Sequence, residues 1–502
     1  MCKTIVAASV AAHLLGTLAT RSPGAPDDNR GRRTAREPEN RDRGGEGRGK
    51  GERRGGGPPG IFKTEVPARS HDIVLGRPTD DTITFSILAY AEAEGYIAYG
   101  TDAGQASRKT PQQHFAGGQP SELMIASLRP NTRYYYRFHS RSPGSGAWVA
   151  DEERTFHTAR PPGRTFTFTI TADSHLDDHT EPSLYATTVS NALADAPDFH
   201  IDMGDTFMTD KYPRYQDAAP QYLAQRYYFG LIGHSAPVYL VLGNHDGEAG
   251  RWLDGTGDNM AVWSNTLRKR YFPNPAPDDF YSGNATKDPH AGVLQNYYSW
   301  EWGDALFVVL DPFWYCPRQK GAGDNWTRTL GREQYDWLRR TLERSRARFR
   351  LVFIHHLVGG LDKDCRGGIA AAPFFEWGGK DPDGTEAFRS KRPGWPAPIH
   401  RVLVANRVNA VFHGHDHLYA KQDLDGIVYQ EIPQPGNPRA NTRSAKEYGY
   451  VAGEIQGGSG HIRVRVGPNE VVAEYVRSAP PDDRQSEYRN RTVSDRYVLH
   501  PR

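Results

Sequence analysis

Five short apolar runs in the middle of the chain each end in a histidine, an aspartate or an asparagine. The clearest run is Val238–Leu242, which is followed by Gly243, Asn244, His245 and Asp246. Such a run is typical of a buried strand, and open α/β sheets place their chemistry beyond the carboxyl ends of their strands. Taken alone, the polar segment is explained equally well as a β-turn, because glycine and asparagine are ordinary turn residues.

Four other predicted strand ends carry the same residue types. The motifs in chain order are Asp173-x-His175, Gly204-Asp205, His355 and Gly414-His415-x-His417. Each one alone is usually structural, but all five in this order are hard to obtain by chance. Carboxylate, amide-oxygen and imidazole donors without a thiolate favour Mn, Fe, Zn or Co over a structural zinc site. We therefore expect these strand ends to build a metal centre.

On these five motifs, residues 164–478 resemble the calcineurin-like metallophosphoesterase superfamily. The resemblance implies an α/β fold, a four-layer α/β/β/α sandwich, and two metal ions, with Fe, Mn or Zn favoured. The implied ligands of the first metal are Asp173, His175 and His417. Those of the second are Asn244, His355 and His415, and Asp205 bridges both metals. His356 is an alternative to His355, which is preferred because Val352–His355 fits the Val-x-x-His spacing of the superfamily.

The implied reaction is hydrolysis of a small-molecule phosphate ester. Two cations about 3.5–4 Å apart clamp the phosphoryl oxygens and acidify a bridging water, and the resulting hydroxide attacks phosphorus. The resemblance implies that His245 protonates the leaving alkoxide as general acid and that Asp246 orients His245. Among phosphate esters, we expect monoesters to be the substrates. The alternatives are a phosphodiesterase or nucleotide hydrolase on the same ligands, and a cell-surface binding protein with a degenerate metal site.

Residues 61–160 precede this region and have an all-β texture. Alternating segments such as Thr82–Ile87 and Gly95–Tyr99 indicate half-buried strands. The stretch Leu128–Phe138 resembles the fibronectin type III pattern, in which a tyrosine ring packs in the core while its hydroxyl bonds back to the backbone. We expect a fibronectin-like β-sandwich and assign it no chemistry.

The β-domain and the stretch Gly414–Tyr419 also resemble the arrangement of purple acid phosphatases. Two positions depart from that family. Those enzymes have Asp-x-Gly where this chain has Asp173-x-His175, and their iron-binding tyrosine corresponds to Met208. Because that tyrosine gives the colour, we expect no visible tyrosinate–iron absorption band.

The two termini are predicted to lie outside the folded domains. Residues 1–22 have the layout of a secretory signal, with Lys3 before an apolar stretch, although a mis-started N-terminus is the alternative. Export would place the protein outside the cell, in the periplasm or on the cell surface. Residues 23–60 are rich in arginine and glycine and predict a disordered linker. Residues 479–502 are assigned to a C-terminal tail.

The charge and the apolar content bear on nucleic-acid and membrane partners, and the cysteine content bears on disulfides. The formal net charge is +2, and in residues 23–60 acids interleave with bases, so no specific nucleic-acid binding is expected. No apolar run after residue 20 has transmembrane length. If Cys2 leaves with the signal, Cys316 and Cys365 either form a disulfide or stay as two free thiols.

The helical and loop segments complete the prediction. Helices are expected over residues 183–193, 221–232 and 332–346. The segments 247–300, 311–330 and 357–397 are aromatic and rich in glycine and proline, which is typical of loops that form lids or rims. His413, which precedes Gly414, is interpreted as a packed histidine. Asp416, which lies between His415 and His417, is interpreted as pointing outward.

Overall fold

The structure is a computed structural model that describes residues 62–318, 324–480 and 488–502. The predicted signal peptide (1–22) and linker (23–60) lie outside the described residues. Within the described ranges, no helix combines the length and the apolar character that crossing a membrane requires.

Residues 71–157 form a sandwich of two antiparallel sheets. Its strands are β1 (His71–Gly76), β2 (Ile83–Ala89), β3 (Ala93–Gly100), β4 (Arg108–Lys109), β5 (Gln113–Phe115), β6 (Pro120–Ile125), β7 (Arg133–Arg141), β8 (Val149–Ala150) and β9 (Arg154–His157). One sheet has the order β1-β2-β6, and the other has the order β4-β3-β7-β8, with β5 beside β3 and β9 beside β7. Tyr134, Tyr136 and Phe138 of β7 point into the shared core and alternate with less buried residues.

Tyr134 closes a corner of this sandwich. Its ring is buried, and its hydroxyl accepts a hydrogen bond of 2.8 Å from the backbone N–H of Arg129. This is the contact that the Leu128–Phe138 pattern predicts. The all-β sandwich is thus confirmed, and its membership of the fibronectin type III class stays a prediction.

The chain then builds two larger sheets. Their strands, with the small pair β14 and β15, are β10 (Phe166–Thr171), β11 (Phe199–Asp202), β12 (Val238–Leu240), β13 (Ser282–Gly283), β14 (Lys287–Asp288), β15 (Gly292–Val293), β16 (Tyr298–Trp302), β17 (Ala305–Val309), β18 (Phe349–Phe353), β19 (Ala410–His413), β20 (Tyr419–Leu424), β21 (Ile427–Glu431), β22 (Glu454–Gln456), β23 (Gly460–Val466), β24 (Val471–Arg477) and β25 (Val493–Leu499). Among the described residues, one sheet has the order β12-β11-β10-β23-β24-β25 and the other β13-β16-β17-β18-β19-β21-β20-β22. Strands β10, β11 and β12 are parallel, as are β17, β18, β19 and β21.

Helices cover the outer faces of these two sheets. They are α1 (Pro182–Leu193), α2 (Ala219–Gly233), α3 (Met260–Tyr271), α4 (Arg332–Arg344), α5 (Phe375–Gly378), α6 (Phe388–Lys391) and α7 (Ile399–Ala405). Phe168, Phe307 and Phe353 fill the core between the sheets. Helix α2 packs on β12, whereas α4 and α7 pack on β17, β18 and β19. The four-layer α/β/β/α sandwich after an all-β domain is therefore confirmed.

Arg226 of α2 joins the four-layer sandwich to the N-terminal one. Its terminal nitrogens are buried and donate to the backbone oxygens of Asp72 at 3.1 Å, Ser86 at 2.9 Å and Tyr271 at 2.7 Å. Burial lowers the pKa of Arg226 to about 10, which leaves the guanidinium charged at neutral pH. A buried charge is tolerated only when hydrogen bonds replace its water, and here the N-terminal sheet supplies most of them.

The predicted helices over 183–193, 221–232 and 332–346 are confirmed by α1, α2 and α4. The predicted loop over 247–300 is wrong in part, because it contains α3. Arg268 of α3 is buried in an ion pair with Glu248, so a charge occupies a core position and hides the helical apolar pattern. Within the predicted tail, β25 pairs with β24 at the edge of the first sheet.

Candidate metal centre

The carboxyl ends of five parallel strands meet at one edge of the four-layer sandwich. Strands β10, β11 and β12 come from one sheet, and β18 and β19 come from the other. They bring together the first ligand of each sequence motif: Asp173, Asp205, Asn244, His355 and His415. The Asp173 N–H donates to the backbone oxygen of Gly204 at 3.0 Å, which ties the first two strand ends together.

Asp173, His175 and His417 form one ligand group. Oδ1 of Asp173 lies 3.7 Å from Nε2 of His175 and 3.6 Å from Nε2 of His417. Donor atoms that share a metal at about 2.1 Å lie roughly 3.0–3.5 Å apart. The three side chains are therefore close to the spacing that a single metal ion requires.

Asp205, His355 and His415 form a second group. Nε2 of His355 lies 3.3 Å from Oδ2 of Asp205 and 3.1 Å from the amide oxygen of Asn244. The structure thus brings all seven predicted ligands to this edge, four of them in or beside this second group.

Asp205 lies between the two groups. Its Oδ2 is 3.6 Å from Nε2 of His175 in the first group and 3.3 Å from Nε2 of His355 in the second. Its Oδ1 accepts a hydrogen bond of 2.8 Å from the backbone N–H of His245. One oxygen is fixed by the backbone, and the other faces both groups.

Three donor atoms of these groups are buried without a hydrogen-bond partner among the described residues. They are Oδ1 of Asp173, Nε2 of His175 and Nδ1 of His415. An unsatisfied buried polar group costs about 1–3 kcal/mol, so three of them converging on one place need a ligand. Carboxylate and imidazole donors suit a hard or borderline cation. The residues therefore fit metal ions.

In three of the four imidazoles, the other nitrogen contacts a fixed partner. Nδ1 of His355 lies 2.8 Å from the backbone oxygen of Met203, and Nε2 of His415 lies 2.7 Å from that of Asp364. Nδ1 of His175 lies 3.4 Å from Oδ2 of Asp177. Such outer contacts set the tautomer and the ring orientation of metal-binding histidines. They leave Nε2 of His355 and His175, and Nδ1 of His415, directed to the site.

The backbone is left-handed at four of the ligand residues. The φ angles are 58° at Asp173, 56° at Asp205, 86° at His415 and 61° at His417. In non-glycine residues this conformation is uncommon, and it costs on the order of 1–3 kcal/mol where it is strained. These turns direct the side chains back across the strand ends toward one another.

The charges of the groups favour metal binding at neutral pH. Burial lowers the pKa of His417 to about 3 and that of His415 to about 4, so both imidazoles are neutral. Burial also acts against ionised Asp205, but the imidazoles of His355, His245 and His175 together hold the pKa of Asp205 well below its usual value. Burial alone would lower the pKa of His355, but the neighbouring Asp205 carboxylate raises this pKa to about 9. Metal binding would displace that proton.

The predicted pairing of His245 with Asp246 is wrong. Nδ1 of His245 lies 2.9 Å from Oδ1 of Asp210. Asp246 instead accepts backbone N–H groups: those of Thr206 and Phe207 on Oδ1, and that of Gly243 on Oδ2. The carboxylate turns toward its own buried loop because three unpaired N–H groups there need an acceptor. Asp210 is the residue that orients His245.

The neighbouring histidines and Asp416 now have defined places. His356 is buried with Nδ1 3.0 Å from the oxygen of Leu357, and it joins neither ligand group, so geometry favours His355. His413 is packed, as expected, against Glu431. The outward orientation predicted for Asp416 is wrong. Its Oδ2 accepts from the Gly367 N–H and the Tyr450 hydroxyl, each at 2.8 Å, because distant loops fold over it.

The sequence model of the calcineurin-like phosphoesterase family matches residues 166–419, half of the chain. The chain belongs to the calcineurin-like phosphoesterase family. The match spans the strand ends described above, and the protein is accordingly a metallophosphoesterase. No curated protein sequence matches the chain.

Two solved structures show the same fold as this phosphoesterase. The structure of PhoD superposes with a TM-score of 0.60 at 15% identity, covering 86% of this chain and 90% of that one. The purple acid phosphatase PPD1 from yellow lupin (Lupinus luteus) seeds superposes with a TM-score of 0.55 at 16% identity, covering 85% of this chain and 74% of that one. At such identities the likeness concerns the fold.

A cleft of about 370 Å³ opens beside the ligand groups of the phosphoesterase. Its lining includes His245 and residues from four separate loops: Asp210, Arg251, Phe313, Arg328, Cys365 and Arg366. The sequence places Arg251 in the loop segment 247–300, where it could shape substrate binding, and does not reveal Asp210 or Arg328, because no local motif marks them. Cys316 and Cys365 are buried free thiols, which decides between the two alternatives for them.

Gly243 is required by a close approach between two strand ends. A Cβ at this position would lie 1.9 Å from the backbone nitrogen of Asp205 and 2.3 Å from its Oδ1. Its φ angle is not in the left-handed region. The absence of a side chain therefore lets the third strand end touch the Asp205 carboxylate.

We expect Gly243→Ala to destabilise the phosphoesterase by roughly 1–3 kcal/mol, because the backbone around Asp205 must shift to admit a methyl group. The free energy of unfolding from denaturant titration measures this. Gly146→Ala is the matched control, since a Cβ there meets nothing within 4 Å. Equal unfolding midpoints for the two variants would contradict the close approach.

Proposed function

We propose that this phosphoesterase hydrolyses phosphate monoesters at a centre of two metal ions, with His245 as the general acid. The ligands of one metal would be Asp173, His175 and His417. Those of the other would be Asn244, His355 and His415, with Asp205 shared. The observation that carries the proposal is Oδ2 of Asp205, which lies 3.6 Å from a donor of one group and 3.3 Å from a donor of the other.

Bound metal ions at such a site neutralise the phosphoryl oxygens and acidify the water that attacks phosphorus. The chain's own residues hold these ions and orient the ester between them and the cleft. The donor set of carboxylate, imidazole and amide oxygen supports Fe, Mn or Zn at the two positions. Buried Asp173 and Asp205 stay ionised because the imidazoles around them lower both carboxyl pKa values against the effect of burial.

His245 is suited to protonate the leaving oxygen. Its side chain is 19% exposed, and its Nε2 lies 3.9 Å from Oδ2 of Asp205, at the border between the ligand groups and the cleft. Asp210 accepts the Nδ1 proton at 2.9 Å, which leaves Nε2 as the nitrogen that faces the substrate. An alkoxide is a poor leaving group, so its protonation by Nε2–H would accelerate bond cleavage.

Two further parts of the proposal concern the substrate class and the location of the protein. The likeness in fold to a purple acid phosphatase supports monoesters over diesters and nucleotides, which the same ligands would also serve. The signal-like layout of residues 1–22 supports export to the periplasm, the cell surface or the medium.

Metal content and a substrate panel test this function together. We expect about two metal ions per chain and faster turnover of p-nitrophenyl phosphate than of bis(p-nitrophenyl) phosphate, because the centre clamps a dianionic phosphate. Asp205→Asn should lose most of the metal in elemental analysis, since it removes the shared charge. Asp178→Asn, with a side chain that is 63% exposed, is the control. Full turnover after metal removal would refute the proposal, and a preference for the diester would favour the alternative.

The dependence of kcat/KM on the leaving group tests His245 and Asp210. We expect His245→Ala to lower turnover of alkyl phosphates by ~10²–10⁴, and turnover of p-nitrophenyl phosphate much less, because p-nitrophenolate leaves without a proton. Asp210→Asn should give an intermediate slope against leaving-group pKa. Asp246→Asn should lower stability without changing that slope. Parallel slopes for the wild type and His245→Ala would remove His245 from the acid role.

A further inference from the structure

Two arginines line the cleft without a close carboxylate partner. Arg251 and Arg328 come from different loops, and the charge of Arg328 adds to the effect of burial in lowering the pKa of Arg251. The nearest carboxylate oxygen to Arg251 is Oδ2 of Asp210 at 3.9 Å, and that residue already binds His245. Among the described residues, no carboxylate lies within 4.0 Å of Arg328; one of its terminal nitrogens donates to the backbone oxygen of Lys363 at 3.3 Å, and its buried Nε has no hydrogen-bond partner.

Like charges that share one cleft repel each other, and a buried guanidinium nitrogen without an acceptor is costly. Two guanidinium groups offer paired N–H donors that match the oxygens of a phosphate. The arrangement is therefore completed by an anion and not by a residue of the described chain.

The position of the pair relates it to the leaving group. A series of contacts leads from Arg251 to the ligand groups. A terminal nitrogen of Arg251 lies 3.9 Å from Oδ2 of Asp210, whose Oδ1 lies 2.9 Å from Nδ1 of His245. Nε2 of His245 in turn lies 3.9 Å from Oδ2 of Asp205. The same two arginines also line a neighbouring cavity of about 180 Å³, together with Trp252, Pro317 and Arg318. A leaving group that extends from the ligand groups past His245 would consequently meet Arg251 and Arg328.

We infer that Arg251 and Arg328 form a second anion site, which binds a second phosphate group carried by the leaving group of the substrate. This inference rests on the proposed phosphomonoesterase function and narrows its substrates to esters with two phosphate groups. The chemistry at the metal centre cleaves one phosphate, and the arginine pair holds the other.

The test compares bisphosphates and monophosphates of the same linear diol, in several chain lengths, with the metal-loaded protein. We expect kcat/KM to be about 10- to 100-fold higher for the best bisphosphate than for the monophosphate of the same diol, because charged hydrogen bonds of ordinary strength contribute that much. In Arg251→Gln and Arg328→Gln this preference should fall by about tenfold or more, chiefly through KM, because the contact is made before and during the reaction alike. Loss of the preference through kcat alone would contradict a binding role.

Lys363→Gln is the matched control. It removes one positive charge from the lining of the same cleft, but its side chain is 85% exposed and paired with Asp364 at 2.9 Å. The bisphosphate preference should stay within about a factor of two in this variant, since exposed pairs contribute little. An equal loss in Lys363→Gln would show that overall charge, and not the arginine pair, attracts the substrate.

A binding measurement separates this inference from the proposed function. Calorimetry with non-hydrolysable alkane bisphosphonates, monophosphonates and phosphonocarboxylates should give the tightest binding for the bisphosphonate, and only that advantage should depend on Arg251 and Arg328. If monoesters are hydrolysed but the bisphosphonate binds no tighter than the monophosphonate, the second anion site is wrong and the function stands. If no ester is hydrolysed while the arginine-dependent advantage persists, the function is wrong and the anion site stands. Tighter binding of the phosphonocarboxylate would overturn the assignment to phosphate.

Discussion

The buried carboxylate of Asp205 is the charge around which the site is arranged. One of its oxygens accepts a backbone N–H from the neighbouring strand end, and the other faces an imidazole from each ligand group. A carboxylate withdrawn from water is expensive unless opposite charge or hydrogen-bond donors surround it. Here the donors are imidazoles from both sheets. Metal ions would add the positive charge that the buried side chains of Asp173 and Asp205 attract.

The two-sheet core makes this convergence possible. Aromatic side chains such as Phe168, Phe307 and Phe353 hold the sheets face to face, so the carboxyl ends of parallel strands from both sheets open on one edge. Close packing at that edge requires a glycine at position 243, because the backbone there approaches Asp205. Left-handed turns at Asp173 and His417 complete the geometry. Fold and site are thus connected by the same short strand ends.

Much of this site could be predicted because its ligands follow apolar runs directly in the sequence. The seven predicted ligands are brought together, and both the four-layer sandwich and the corner formed by Tyr134 are present. The partner of His245 could not be predicted in this way. Asp246 is the sequence neighbour of His245, but its carboxylate oxygens accept backbone N–H groups. Asp210 contacts His245 instead, from another loop.

Other features were hidden because they depend on contacts between distant segments. Arg226 looks like a surface charge on a helix until the N-terminal sheet covers it, and Arg268 conceals a helix because its charge is buried in a pair. Arg251 and Arg328 lie far apart in sequence and become a pair only when two loops fold over the cleft. Local patterns report strands and their ends well, whereas loop-to-loop contacts require the folded chain.

Anomalous X-ray diffraction from crystals of the metal-loaded protein tests the central claim most directly. The account predicts two anomalous peaks on opposite sides of the Asp205 carboxylate. One peak should lie among Asp173, His175 and His417, and the other among Asn244, His355 and His415. A single peak, or two peaks that do not share Asp205, would contradict it.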